Sequence, residues 1–232
     1  MGNAIVTPKG PQDLQSSKES DLSQMLTFSL EELRAHTGLD GREVSISLLG
    51  DVYDVSADRA VYGQGGALAC YAGQDISRAV AKKSLELHDI ENLEVDDLDR
   101  EERQVLEEWL ARSREEKKYP VIGRLVIQQD LTLKQLLKYN GEEDPRCAIY
   151  IGLCGTIYDV TANGKEYYGS GGSYEQFAGR DASRALACMS FDPEFLDDPD
   201  LSKINSEQQA VLSVWCKKFQ QKYAIVGRLL DE

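Results

Sequence analysis

Residues 167–186 read YYGSGGSYEQFAGRDASRAL, and residues 61–80 read VYGQGGALACYAGQDISRAV. The two stretches lie 106 positions apart and are identical at ten of their twenty positions. A period near 100 residues is typical of duplicated domains and not of a solenoid of short units. In the later stretch Tyr168 and Tyr174 flank the glycines, whereas the earlier stretch has Leu68 in place of the second tyrosine. The sequence therefore predicts two related domains that differ within one loop.

Length and composition fit two folded domains. The chain has 232 residues, of which 41% are hydrophobic and 28% are charged. These fractions are ordinary for globular proteins, and about 100 residues are enough for one domain to bury its own core. We expect a flexible N-terminal tail over residues 1–25, a first domain over 26–126 and a second domain over 130–232.

The two halves repeat one order of helix and strand signals. Four helix starts carry a capping box, in which two side chains three residues apart satisfy free backbone amides. The pairs are Ser29 with Glu32, Asp99 with Glu102, Thr132 with Gln135, and Ser206 with Gln209. In addition, Asp75 and Asp181 are predicted to be the N-caps of short helices that follow the glycine loops.

Apolar, β-branched runs predict the strands. Residues 44–55 and 149–160 are such runs, each interrupted by a glycine and a polar residue, and both are typical of hairpins. Each half then ends in a similar stretch, KKYPVIGRLV at 117–126 and QKYAIVGRLL at 221–230, which predicts a final strand.

The formal net charge of −14 bears on the choice of partner. Nucleic-acid binding depends on lysine and arginine to neutralise phosphates, so this charge argues against a nucleic-acid partner. It favours a basic protein partner, and the alternative is that the acidic residues only aid solubility. No run of about 18 apolar residues and no secretory signal is present, so the sequence predicts no transmembrane segment and a cytoplasmic location.

The first ten residues, MGNAIVTPKG, resemble an acylation signal. Gly2 occupies the position that is myristoylated in such signals, but Val6 stands where serine or threonine is expected. A single acyl chain would give reversible binding to the endoplasmic reticulum or another endomembrane, so the protein would be a peripheral lipoprotein. The alternative is an unmodified tail.

The cysteines do not suggest a structural framework. The chain has five of them, and no two are spaced as C-x-x-C. They are Cys70, Cys147, Cys154, Cys188 and Cys216. An odd number without close pairs suits neither a disulfide scaffold nor a zinc site. We therefore expect free thiols in a reducing compartment.

Two enzyme classes are excluded by their missing residues. The glycine loops contain G-x-G, but the sixth position of a dinucleotide-binding fingerprint needs glycine and holds Leu68 or Tyr174 here. Hydrolytic triads need histidine as the base, and the chain has only His36 and His88, which we expect at the solvated surface. These absences favour a binding protein that is not an enzyme.

The tyrosine loop has a chemistry of its own. A tyrosine on a glycine-rich loop above an apolar slot can bind ferric haem iron as a phenolate. Gly169, Gly171 and Gly172 would let the backbone approach the flat macrocycle, because they carry no Cβ. The alternative is that Tyr168 and Tyr174 are packing aromatics with satisfied hydroxyls.

The order of a capped helix, IYDVT, YYGSGGSYEQFAGRDASRALA, an acidic bridge and VWCKKFQQKYAIVGRLL resembles one known family. It is similar to the cytochrome b5-like haem/steroid-binding domain of the membrane-associated progesterone receptor family. The resemblance is close over residues 130–232 and recognisable over 26–126. It implies an α+β fold in two tandem copies, each with a small sheet that floors a pocket walled by paired helices.

The resemblance also implies a ligand site in the second copy. One ferric haem b would bind through Tyr174, and Tyr168 would hydrogen-bond the phenolate. Lys222 and Tyr223 match the family's lysine-tyrosine pair and would line the pocket, where the cation would meet a haem propionate. True cytochrome b5 uses two histidine ligands, so the resemblance does not imply electron transfer of that kind.

In the first copy the implied pocket is degenerate. Tyr62, Lys118 and Tyr119 follow the family pattern, but Leu68 stands at the ligand position and leucine cannot donate to iron. Two neighbours in the loop, Cys70 and Tyr71, are expected to be a buried thiol and a core aromatic.

For the whole chain, the resemblance implies support of haem-thiolate monooxygenases and of sterol metabolism. It also implies, for some members, dimers formed through stacked haem faces. Family members are usually tied to the endoplasmic reticulum by a transmembrane helix, which this sequence does not display. Two alternatives remain open: a carrier of sterols or other lipophiles without iron, and an acidic scaffold that binds basic partners without a small ligand.

Overall fold

The computed structural model describes residues 25–230. These residues divide into two compact units, one spanning Met25–Ile127 and the other beginning at Gln128. Both units mix helices and sheet, which confirms the α+β prediction. Within residues 25–230 no helix is both long and apolar enough to cross a membrane. Gly2 and the predicted tail up to residue 24 lie outside the described residues.

The first domain is built on a four-stranded sheet. Its strands are β1 (Leu26–Phe28), β2 (Ser45–Leu48), β3 (Asp51–Asp54) and β4 (Val121–Leu125). The order across the sheet is β1-β4-β3-β2, with β1 parallel to β4 and the other pairs antiparallel. Its helices are α1 (Leu30–Arg34), α2 (Arg59–Tyr62), α3 (Ser77–Ala81), α4 (Leu87–Glu91) and α5 (Arg100–Ala111).

The second domain repeats this plan with one more short strand. Its strands are β5 (Leu131–Thr132), β6 (Tyr150–Leu153), β7 (Thr156–Asp159), β8 (Arg180–Asp181) and β9 (Ala224–Leu230). They form one sheet in the order β5-β9-β7-β6-β8. Its helices are α6 (Leu133–Leu136), α7 (Thr161–Tyr168), α8 (Ser183–Cys188) and α9 (Ser206–Lys222). The chain thus folds the same sequence pattern twice.

Both predicted hairpins are confirmed. β2 pairs with β3 and β6 pairs with β7, each antiparallel across a two-residue turn. The turn residues are Leu49 (φ 48°) and Gly50 (φ 85°) in the first domain, and Cys154 (φ 53°) and Gly155 (φ 74°) in the second. Positive φ at both turn residues is the conformation that matches the twist of the flanking strands. The turn therefore fixes the register of each hairpin and places residue 154 at its tip.

Three of the four predicted capping boxes are confirmed, at Ser29, Asp99 and Thr132. The fourth was wrong by one residue. α9 is capped by Asn205, whose side chain accepts a hydrogen bond from the Gln208 amide, and Ser206 already lies inside the helix. Asparagine and serine cap helices about equally well, so adjacent candidates could not be separated from sequence alone.

The predicted caps Asp75 and Asp181 each lie one residue before the position that caps the helix. The N-cap positions are Ile76 in the first domain and Ala182 in the second. The two carboxylates nevertheless accept hydrogen bonds from the first helical amides, that of Ser77 at 3.1 Å and that of Ser183 at 2.8 Å. The expected chemistry is present, but a tight turn inserts one residue between the acid and its helix.

Each domain has its own hydrophobic core. The core of the second domain is rich in rings, and its fully buried side chains include Tyr158, Tyr168, Phe177, Trp215 and Phe219. Trp109 occupies the position of Trp215 in the first domain and is only partly buried. The tryptophan that is fully buried in the second core is therefore only partly buried in the first.

Candidate ligand site

The tyrosine loop of the second domain closes on its own backbone. α7 ends at Tyr168, and the chain then turns through the glycines to Tyr174. The Tyr174 amide donates to the Tyr167 carbonyl at 2.8 Å, and the Gly171 amide donates to the Glu175 carboxylate at 2.6 Å. These bonds hold residue 174 beside the end of α7.

The glycines of this loop are required by the loop itself. A Cβ at Gly169 would lie 2.6 Å from the Lys165 carbonyl oxygen, and one at Gly172 would lie 2.3 Å from that of Tyr167. Both contacts are shorter than a carbon atom tolerates, so any other residue would push the turn open. The first domain keeps glycine at both positions although it has Leu68 in place of the second tyrosine. Backbone packing therefore explains Gly169 and Gly172 without a ligand.

Tyr174 is buried in a cluster of rings. Only 5% of it is exposed. Its ring centroid lies 5.8 Å from those of Tyr168, Phe177 and Phe191, and 6.3 Å from that of Trp215. We call these five residues, together with Phe219 and Tyr223, the tyrosine cluster. It lies between the glycine loop and α9.

Tyr168 and Tyr223 form the deeper side of the cluster. Their ring centroids lie 6.1 Å apart, nearly perpendicular to each other. Burial raises the pKa of the Tyr168 phenol well above its usual value, and the neighbouring Tyr223 adds to this effect. Burial likewise raises the pKa of Tyr223. Both side chains are therefore neutral hydrogen-bond donors at physiological pH.

Three buried polar atoms around the cluster have no hydrogen-bond partner among the described residues. They are Trp215 Nε1, Lys218 Nζ and Tyr223 Oη, all on α9 or directly after it. Leaving a buried polar group unpaired costs about 1–3 kcal/mol, so such groups are uncommon and each needs an explanation. All three can donate hydrogen bonds, and the indole and the ammonium groups can only donate. The wall of the cluster therefore has unused donors that suit an anionic group.

Lys222 lies at the edge of the cluster. Its Nζ lies 4.8 Å from the ring centroid of Tyr167 and 5.3 Å from that of Tyr223. Partial burial lowers the pKa of this ammonium, and the nearby Glu166 opposes that effect. The structure thus brings together all four side chains that the sequence predicted for the second site, at positions 168, 174, 222 and 223.

The first domain has a cavity at the corresponding place. Its volume is about 380 Å³. The lining residues are Leu68, Tyr71, Val80, Lys83, Leu85, Val105, Glu108, Trp109 and Arg112. Counting 106 positions on from Leu68, Tyr71, Leu85 and Trp109 gives Tyr174, Phe177, Phe191 and Trp215. The same location is therefore an open cavity in the first domain and is filled by aromatic rings in the second.

Of the residues predicted for the first pocket, Leu68 lines this cavity and the other three do not. Tyr62 and Tyr119 are buried edge to face, with ring centroids 6.4 Å apart. The Tyr119 hydroxyl donates to the Asp58 carboxylate, which also accepts a 2.7 Å bond from Lys117. Lys118 is exposed, with φ at 52°. Tyr119 is therefore bonded to the Asp58–Lys117 ion pair, and Lys118 does not line the cavity.

The burial of Tyr71 and Cys70, two further residues of the first loop, was predicted from their residue types. Tyr71 is buried as expected, and its hydroxyl donates to the Ser84 carbonyl at 2.7 Å. Cys70 was expected to be buried and is exposed, because it faces outward on the short helical turn that buries Tyr71.

One histidine also differs from the expectation. His36 is half-buried, since its ring packs edge-on to Phe28 at 5.5 Å and its Nδ1 lies 3.0 Å from the Ser45 hydroxyl. His88 is exposed as predicted.

Several residues of the site were missed from sequence. Lys218 and the lining function of Trp215 were not predicted in the second domain, nor were Lys83 and Arg112 at the first cavity. A usable signal existed, because Trp215, Lys218 and Lys222 are spaced so that they share one face of a helix. Alignment of the two copies then places Trp109 and Arg112 of the first domain at the positions of Trp215 and Lys218.

The chain is therefore a tandem pair of small α+β domains, each with an aromatic site between a glycine loop and a long helix. The profile of the family described as "Cytochrome b5-like Heme/Steroid binding domain" matches residues 29–126 and again residues 132–229. The chain belongs to this family, with two copies in tandem, as the sequence had indicated.

Its relatives include proteins named for steroid binding and for regulation. It is 43% identical over 102 residues to the Probable steroid-binding protein 3 of Arabidopsis thaliana, covering 44% of this chain and 99% of that protein. It is 42% identical over 109 residues to the Cytochrome P450 regulator dap1 of Schizosaccharomyces pombe, covering 44% of this chain and 64% of that protein.

A third relative is Membrane-associated progesterone receptor component 2 of Homo sapiens, which is 43% identical over 105 residues, covering 44% of this chain and 46% of that protein. The match thus spans about half the length of the human protein. Among solved structures, an Arabidopsis thaliana protein described as having a cytochrome b5-like fold is 30% identical. That match has a TM-score of 0.40 and covers 47% of this chain and 97% of the other.

Proposed function

We propose that this protein is a non-catalytic haem-binding protein whose second domain holds one ferric haem b through Tyr174. The observation that carries the proposal is the pairing of a phenol at position 174 with three unmatched donors around it. The first domain has Leu68 at the same position and thus no donor for iron.

The donor set fits haem. A phenolate oxygen binds ferric iron, and the charge of the metal lowers the effective pKa of its ligand. Tyr168 would donate a hydrogen bond to that phenolate, since burial keeps it protonated. Trp215, Lys218, Lys222 and Tyr223 would meet the propionates, because all four offer donors or positive charge to a carboxylate.

Binding requires the tyrosine cluster to open. Tyr174 packs on Phe177 and Phe191, so its ring must leave them before a macrocycle can enter. The cavity of about 380 Å³ at the matching place in the first domain supports this step. In the first domain the corresponding loop and helix enclose an empty space, because Leu68 is smaller than the tyrosine at the matching position. A volume of this size lies within the range of small-molecule sites.

Haem titration of the full chain, followed by absorption spectroscopy, tests the proposal. We expect one haem per chain, and we expect Tyr174→Phe to weaken binding by more than about 100-fold and to change the spectrum, since even partners of a metal ligand contribute 10–100-fold. Tyr150→Phe is the matched control, because Tyr150 is also buried in the second domain but stacks on Tyr139, away from the cluster. Two haems per chain, or an unchanged spectrum in Tyr174→Phe, would overturn the proposal.

The names of the relatives support a biological role for this site. One is a cytochrome P450 regulator and others are steroid-binding proteins, so we propose that the haem-loaded protein supports haem-thiolate monooxygenases and sterol metabolism. The net charge of −14 suits a basic face on such an enzyme. Peripheral attachment to an endomembrane through acylated Gly2, and dimers through stacked haem faces, belong to the same proposal. Copurification with a monooxygenase that weakens with added salt would support it.

The first-domain cavity favours a second candidate function, the carriage of a sterol or another lipophile. Apolar side chains such as Leu68, Leu85 and Trp109 line it, and the position of the missing tyrosine holds leucine, which cannot bind iron. Binding of a labelled sterol to haem-free protein should therefore depend on this cavity. Leu68→Trp should block it, whereas Leu137→Trp, at an exposed position of the second domain, should not. Equal sterol binding by both variants would contradict this function.

A further inference from the structure

Two of the five cysteines lie side by side. The sulfur atoms of Cys154 and Cys216 are 2.7 Å apart, although the residues are 62 positions apart in the chain. Cys154 is exposed at the tip of the β6–β7 hairpin, and Cys216 is half-buried on α9. Both are free thiols. No local sequence pattern indicates this pair, because the two residues belong to different elements.

The first domain shows what these positions hold when no thiol is needed. The residues that match Cys154 and Cys216 are Leu49 and Leu110. Both leucines pack against the core of the first domain. The first domain therefore folds with an apolar residue at each of these positions. The second domain has cysteine at both, and Cys216 still packs against its core, so the two substitutions add a pair of reactive groups.

The geometry suits bond formation. A disulfide has its sulfur atoms about 2.0 Å apart, so the present separation is only about 0.7 Å longer. Cys154 is exposed, so a small disulfide can reach the pair from solvent. The thiolate is the nucleophile in thiol–disulfide exchange, so the reaction begins when either thiol loses its proton.

We propose that Cys154 and Cys216 are a covalent modification site, which small disulfides such as oxidised glutathione convert to an intramolecular disulfide and which reduced thiols reopen. The thiolate of one cysteine attacks one sulfur of oxidised glutathione, forms a mixed disulfide and releases one glutathione thiolate. The thiol of the other cysteine then loses its proton and attacks the protein sulfur of the mixed disulfide, releasing the second glutathione. Two protein thiols are oxidised, one glutathione disulfide is reduced, and the two protons end on the two glutathiones.

The bond would tie the β6–β7 hairpin to α9. That helix also carries Trp215 and Lys218, so oxidation would restrain one wall of the tyrosine cluster. The disulfide itself does not depend on haem. The result of its test is therefore independent of whether the protein binds haem.

Peptide mapping of the full chain tests this site. The protein is incubated with oxidised glutathione, its remaining thiols are alkylated, and it is digested without reductant. We expect a linked peptide that joins residues 154 and 216, and its complete loss after dithiothreitol. Cys70, Cys147 and Cys188 are internal controls, and we expect them to be alkylated or to carry glutathione singly.

Variants sharpen the result. Cys154→Ser should stop the reaction at the mixed disulfide, so that glutathione stays on Cys216. We also expect oxidation to raise the unfolding temperature of the natural chain, because a cross-link restricts the unfolded state. A double variant with leucine at both positions copies the first domain, should fold, and should not show this rise. Absence of the linked peptide, or linkage of either residue to another cysteine with equal yield, would overturn the proposal.

Discussion

At the scale of single residues, the substitution with the largest chemical effect on the two sites is Leu68 in the first domain for Tyr174 in the second. Tyr174 fills the space beside Trp215, whereas Leu68 leaves a cavity beside Trp109. The backbone of the loop is the same in both domains, since glycines at matching positions make the same close contacts. The difference in chemistry therefore depends on a side chain and not on the fold around it.

A tyrosine at position 68 should give the first domain a side chain that can bind iron. We expect Leu68→Tyr to raise the haem capacity from one to two per chain, because the cavity of the first domain is open and the variant supplies a phenol at the ligand position. Titration followed at the strong near-violet absorption band measures the capacity. Leu68→Phe is the control, since it adds the ring without the oxygen. An unchanged capacity in Leu68→Tyr would show that a donor alone is not sufficient there.

Asp181 predicts a pH dependence of stability. Burial raises the pKa of this carboxyl to about 6, although hydrogen bonds from Ser183 lower it, and Asp197 and Asp198 raise it further. The folded state therefore holds the proton more tightly than the unfolded chain does. The stabilisation is complete below about pH 4 and is lost as the pH rises through about 6, a change of about 3 kcal/mol in the free energy of unfolding.

Urea unfolding at pH 4.5 and pH 7 checks this effect. Asp181→Asn should remove the decrease that this residue causes, because the amide can still accept the Ser183 hydrogen bond but does not titrate in this range. Asp75→Asn makes the same substitution at the matching position of the first domain. If the natural chain and Asp181→Asn lose equal stability between the two pH values, the shifted carboxyl is not the cause.

At the scale of elements, α9 organises the candidate site. It carries Trp215, Lys218 and Cys216, and it ends beside Tyr223. Its start is fixed by the box formed by Asn205 and Gln208. Weakening that start should loosen the first turn and lower the stability of the second domain.

The corrected position of this cap gives a direct test. We expect Asn205→Ala to lower the free energy of unfolding by about 1 kcal/mol, the usual cost of losing an N-cap side chain. Ser206→Ala should change it by less than about 0.5 kcal/mol, since that residue lies within the helix and alanine is a good helix former. Chemical denaturation of both variants measures the difference. A larger loss of stability in Ser206→Ala than in Asn205→Ala would show that Ser206 is the N-cap.

At the scale of the whole molecule, the described residues form two copies of one fold. Each copy has a separate core and a separate sheet. We therefore expect residues 128–232, expressed alone, to fold and to bind one haem, and residues 25–127 to fold and bind none. Circular dichroism and haem titration of the two fragments measure this. Haem binding by the first fragment alone would reverse the assignment of the two domains.

Much of the fold was predictable because its signals are local. The hairpins follow from alternating strands around two-residue turns, and the helix starts follow from side chains that bond amides three residues away. The failures were also local, as at Asn205 and Asp181, where neighbouring polar residues compete for one cap. Such competition is decided by a few tenths of a kcal/mol, which residue type alone does not resolve.

The candidate site was predictable in part. The family pattern identified Tyr168, Tyr174, Lys222 and Tyr223, and the structure brings them together. It did not identify Lys218, the cavity beside Trp109, or the hydrogen bond from Tyr119 to Asp58. These depend on which side chains meet after distant elements pack, and no local pattern records that.

The sequence by itself determined the duplication, the order of elements, the membership of the family and the presence of Leu68 in the first loop where the second loop has Tyr174. Each of these follows from residue types and short spacings. Only the tertiary structure decided that the first cleft is open and the second is filled, that three buried donors on α9 or directly after it have no partner among residues 25–230, and that Cys154 meets Cys216. The physical reason is that packing joins residues tens of positions apart, and its outcome depends on the volume and direction of side chains from several elements at once.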